Sequence, residues 1–110
     1  MITEKKSNYT FIISDETSFS DFFNAFSISH KKLENKHLII QISQNLNINI
    51  KEISLLLSLS DIHKSNGTSF VVVCSGIDID ALPEDFNIVP TLQEAEDVLE
   101  MEEIERDLGF

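Results

Sequence analysis

Two short apolar runs, Leu38–Ile42 and Phe70–Val73, bracket a Leu-rich segment of helical spacing, and this arrangement constrains the fold more than any other feature of the chain. Runs of four or five residues are too short for buried helices, and their Ile and Val content suits buried strands. The intervening segment is long enough for a crossover helix, the connection that parallel strands require. A βαβ unit is therefore expected at the centre of the molecule.

The flanking segments extend this unit. Ile2–Lys6 and Tyr9–Ser14 read as a hairpin turning at Ser7-Asn8, the first arm polar and at an edge. Ser18 or Ser20 can cap a helix in which Phe22, Phe23, Phe26, His30 and Leu33 recur at three- and four-residue spacing. A second helix is expected from Ile50 to about residue 65. Asn49 is its N-cap, Glu52 completes a capping box, and Asn66-Gly67 is its stop. Ile50, Ile53, Leu56, Leu57 and Ser60 form its inner stripe, with Leu55, Leu59 and Ile62 widening it, so Leu56 and Leu57 are both expected in the core. Phe86–Val89 reads as a last strand, and Thr91 with Glu94 opens a final helix. The pattern predicts an α/β fold in one domain spanning 1–110: a mixed sheet of four to five strands carrying three main helices.

Charge is unevenly placed. Residues 1–77 hold seven acids and seven lysines, whereas residues 78–110 hold twelve acids against Arg106 alone, so the net charge of −11 belongs to the C-terminal third. That balance disfavours nucleic acid and anionic membrane surfaces, both of which need basic stripes. It leaves two readings, a solvated acidic face or a docking surface for a basic partner. No apolar run approaches the ~20 residues that span a bilayer, and MITEKKSN lacks the apolar core of a signal peptide. A cytoplasmic protein is expected. Cys74, the single cysteine, ends an apolar strand and reads as a buried thiol.

No catalytic constellation stands out. His30, His37 and His63 fall on different elements without metal-ligand spacing, and Asp61 and His63 read as surface residues. Phosphate-cradling glycine motifs and a nucleophile elbow are absent. No cofactor, metal or catalytic residue is expected.

The opening hairpin, the strand LIIQIS, the capped helix after it, SFVVV and the closing NIVPTLQEAEDVL together resemble a STAS domain, the fold of bacterial anti-sigma-factor antagonists and of sulfate-transporter C-terminal domains. The resemblance covers roughly residues 2–100, and Asp78–Asp85 is too short for the helix the family has there. It implies a non-enzymatic interaction module whose partner is a regulatory kinase-like protein or a subunit of a membrane transport complex. The family's switch is a phosphorylated Ser or Thr in an Asp-Ser-x-Gly motif after the central strand. On that pattern Gln41 and Asn49 replace the two Asp residues, Ile50 replaces the phosphoacceptor and Glu52 the Gly, which implies a module without the switch. Short bacterial proteins similar to this one are sometimes labelled ribonuclease Z. That hydrolase needs a zinc-binding HxHxDH cluster, which this chain lacks.

Partner-binding residues are therefore expected at Asn47, Asn49, Ile50, Lys51 and Glu52, where Ile50 either stands exposed as a hot spot or packs on the sheet. A second candidate surface is the acidic amphipathic extension 101–110, in which Met101, Ile104, Leu108 and Phe110 continue an apolar pattern on a rotated face. A helix reaching Leu108 would be about 27 Å long, more than the strands can cover. Its last turns would dock on the domain, fray, or insert into a partner or a second copy to form a homodimer.

Overall fold

A computed structural model describes residues 1–46 and 48–109, omitting the side chain of Asn45. Its centre is a five-stranded sheet in the order β1 (Ile2–Lys5), β2 (Thr10–Ile13), β3 (Leu38–Gln41), β4 (Phe70–Val73), β5 (Ile88–Val89). β1 and β2 form the antiparallel hairpin, closed by the Lys6 N–H donating to the Tyr9 carbonyl at 2.8 Å. Every later pairing is parallel, with Ile12, Ile40 and Val72 in one register row. The expected mixed α/β sheet is thus present, with β1 at its edge.

Alternation along the strands sorts side chains onto two faces. One face carries Ile12, Leu38, Ile40, Phe70 and Val72, covered by α1 (Phe19–His30) and by the helices between β3 and β4. The other carries Phe11, Ile39, Val71 and Val73, covered by α4 (Leu92–Asp107) through Leu92, Ala95 and Val98. Helix ends follow local chemistry. Ser18 caps α1 by accepting from the Asp21 N–H, and Thr91 caps α4 by accepting from the Glu94 N–H. The Tyr9 hydroxyl donates to Glu96 at 2.8 Å, tying α4 to the start of β2. Burial and that carboxylate push the phenol up to about 12, so it remains a donor.

The helix expected over residues 50–65 is two helices, α2 (Ile50–Ser54) and α3 (Leu57–Asn66). Ser54 Oγ donates to the Ile50 carbonyl at 2.7 Å, and the Leu55 and Leu56 N–H groups reach back only three residues, to Glu52 and Ile53. Such back-bonding and tightening bends a helix. The bend turns Leu55 to solvent at 51% exposure and completes a buried row of Ile53, Leu56, Ser60 and His63. Leu57 is only half-buried, and Ile62 is exposed, against expectation for both. Gly67, with φ of 75°, supplies the left-handed stop. β5 is shorter than its sequence suggests because the Phe86 N–H is taken by the Pro83 carbonyl in a turn.

The largest departure from expectation is His63. It is fully buried, not a surface residue, and its Nε2 lies 2.8 Å from Nε2 of His30, itself buried at the end of α1. His63 Nδ1 is 2.8 Å from Thr68 Oγ1, and the rings of Phe26 and Phe70 flank the pair. An Nε2-to-Nε2 bond holds one proton, one ring donating and the other accepting. A second proton would remove the acceptor and place a charge among phenyl rings. Burial, reinforced by the neighbouring His30, lowers His63 to about 4, and burial lowers His30 in the same direction. His37 is lowered by burial and by nearby Arg106, and its Nδ1 accepts the Ser69 N–H at 3.0 Å.

Leu56→Ala should cost roughly 2–5 kcal/mol, and Leu57→Ala clearly less, by urea denaturation; equal losses would contradict the bend. The three histidines take up protons on unfolding, because their unfolded value is ~6.5 and the folded values lie below it. Stability should therefore be greatest above about pH 6.5 and fall as pH drops toward 5, by at most about 1.4 kcal/mol per unit for each imidazole, before most carboxylates titrate. Urea midpoints that do not fall between those values, or an NMR titration protonating His63 above pH 6, would refute this.

Candidate functional site

The first expected site is at the start of α2. Asn49 Oδ1 accepts the Glu52 N–H at 2.9 Å, and Glu52 Oε1 accepts the Asn49 N–H at 3.1 Å, a full reciprocal capping box. Both polar side chains are thereby committed to holding the helix end. Ile50 is half-buried against the larger core cluster, so it packs beneath the helix, while Lys51 is exposed. Asn47 and Phe110, also expected to touch a partner, lie outside the described residues.

The carboxyl ends of β2, β3 and β4 surround an open hollow of about 450 Å³, lined by Ser14, Gln41, Ser43, Gln44, Cys74 and Ser75 among others. Ligands of open α/β sheets collect outside strand ends where the strand order reverses. Here β2 to β5 follow one another without reversal, so the hollow does not lie at such a switch point, and the helices linking β2 to β4 cover one face of the sheet. The hollow's polar groups also bond to one another: the Ser43 N–H donates to Ser14 Oγ at 2.7 Å, and Gln44 Nε2 to Ser75 Oγ at 3.0 Å. Burial raises the Cys74 thiol, which disfavours the nucleophilic thiolate. Among the described residues no three His, Cys, Asp or Glu side chains converge on a metal position, and the His30–His63 pair has no third ligand.

The second expected site is the end of α4. Its helix runs unbroken to Asp107 and neither frays nor folds its apolar residues inward. Ala95 and Leu99 are buried on the sheet side. Farther along, Asn87 Nδ2 donates to Glu102 at 2.8 Å and Arg106 Nη2 donates to Ser69 Oγ at 3.1 Å, so polar contacts extend the docking beyond the reach of the strands. Met101, Ile104 and Leu108 are 61%, 53% and 66% exposed. At about 100° per residue they fall within a ~60° arc roughly opposite Ala95 and Leu99. Docking of one face therefore forces the other outward.

The two surfaces are not brought together. α2 packs through Ile53 on one face of the sheet and α4 through Ala95 on the other. The buried histidine pair leaves only a partial signal in the sequence: His30 falls in the expected stripe with Phe22 and Phe26, and His63 continues the row Ile53, Leu56, Ser60. Among the described residues no helix is long and apolar enough to cross a membrane. No protein-family model matches the chain, and no curated protein matches it.

The cap geometry makes a direct prediction. Asn49→Ala should remove one half of the reciprocal box and cost about 1 kcal/mol, with hydrogen exchange accelerating first in residues 50–54. Unchanged exchange there would mean that the box does not hold the helix end.

Proposed function

We propose that this chain is a non-enzymatic protein-interaction module, STAS-like in the order of its elements, that works in the cytoplasm without a phosphoserine switch. The observation carrying the reading is the outer face of α4, where Met101, Ile104 and Leu108 are presented together on a helix whose other face is docked. Isolated exposed apolar residues are ordinary, but a row at helical spacing fits a binding surface. A hairpin leading into parallel strands, with helices between, agrees with the resemblance. Ile50 offers no hydroxyl at the family's acceptor position, and Glu52 is engaged with Asn49 where the phosphate would arrive. A regulatory kinase-like protein or a cytoplasmic subunit of a transport complex is the kind of partner this reading implies.

The test is native size-exclusion of cell extract with immunodetection, joined to mass spectrometry of the recovered chain. The chain should elute in a complex well above its own 12.5 kDa and carry no phosphate between residues 43 and 54. Elution only as free monomer would overturn the module reading. Phosphate mapped to that segment would overturn the loss of the switch.

A further inference from the structure

We infer that the outer face of α4 receives a Lys/Arg-rich amphipathic helix of a partner protein, the partner's apolar side chains seating on Met101, Ile104 and Leu108 and its cations pairing with the flanking carboxylates. The inference rests on the reading of the chain as an interaction module and names the chemistry of its partner.

Charge complementarity selects this occupant. On a helical wheel Glu100 and Asp107 fall on one side of the apolar row and Glu105 on the other. All three are exposed, and among the described residues none has an ion-pair partner. The sole cation of the C-terminal third, Arg106, is turned toward the sheet and donates to Ser69, so nothing on the helix itself balances the rim. An apolar row walled by uncompensated carboxylates favours a partner with apolar residues at its centre and cations at its margins.

A second copy fits poorly. Two such faces would set carboxylate rims against each other around rows only about 10 Å long, from Met101 to Leu108. An anionic lipid surface is opposed by the same rims. With so small an apolar contact, the charges must contribute much of the affinity, and binding should weaken as salt screens them.

The experiment uses the full chain and three fluorescent peptides: a Leu/Lys helix with leucines at i, i+3/i+4 and i+7, its scramble, and the same helix with Glu for Lys. The Leu/Lys helix should bind, shift amide resonances over residues 97–108, and weaken at least tenfold between about 50 and about 300 mM salt. Ile104→Ser and Glu100→Lys/Glu105→Lys variants change exposed positions and should keep the melting temperature while each losing about tenfold in affinity. Equal binding of the scramble, binding of the Glu peptide, or resonance shifts confined elsewhere would overturn the inference. So would a dimer that Ile104→Ser abolishes, or co-sedimentation with phosphatidylserine vesicles. If the native complex forms equally with Glu100→Lys/Glu105→Lys, this docking mode fails while the module reading survives. If the unaltered chain forms no complex, the module reading fails too.

Discussion

The structure depends on burying β3 from both sides. Leu38, Ile39 and Ile40 have no exposed surface, and the strand pairs in parallel with β2 on one side and β4 on the other. A strand so placed has no solvent face, so its backbone groups must all be met by neighbours and each of its faces needs a covering layer. α1, α2 and α3 provide one layer because they are the connections between parallel strands. The second layer cannot come from a connection, since successive same-handed crossovers stack on one side. It has to come from α4, which follows the last strand and crosses back over Phe11, Ile39 and Val71. The position of the acidic helix is in this sense a requirement of the central strand.

Much of this was legible because it is local. The apolar runs of β3 and β4, the Ser18 and Thr91 caps and the Gly67 stop each depend on a few neighbouring residues, and the mixed α/β sheet follows from their order. What was illegible depends on distant or competing contacts. The bend at Leu55 arises because the Ser54 hydroxyl claims the Ile50 carbonyl, which a hydrophobic pattern does not reveal. His30 and His63 are 33 residues apart in sequence and meet only through packing of α1 against α3. Treating histidine as a polar residue put His63 at the surface, although it occupies the next place in an apolar row. β5 was overextended because Phe86 is buried like a strand residue while its N–H serves a turn.

The expected binding residues separate along the same lines. At the start of α2, Asn49 and Glu52 are consumed by their own helix and Ile50 by the core, which leaves Lys51 as the exposed side chain of that group. At the end of α4 the apolar residues remain outside because Glu102 and Arg106 hold the other face down. Both outcomes follow from which polar groups find partners within the domain.

The sheet's margins have a further consequence. β1 is exposed at all four residues and includes Lys5, and Glu4 bridges to Lys6 at 3.0 Å, whereas β5 at the opposite margin is two residues long. A charged border and a truncated one are both poor templates for an added strand. Growth of the sheet by main-chain pairing, whether in a strand-donating complex or in a fibril, is therefore disfavoured at either end. Side chains on the helical surfaces discriminate by size and charge, where a bare strand edge accepts almost any extended chain.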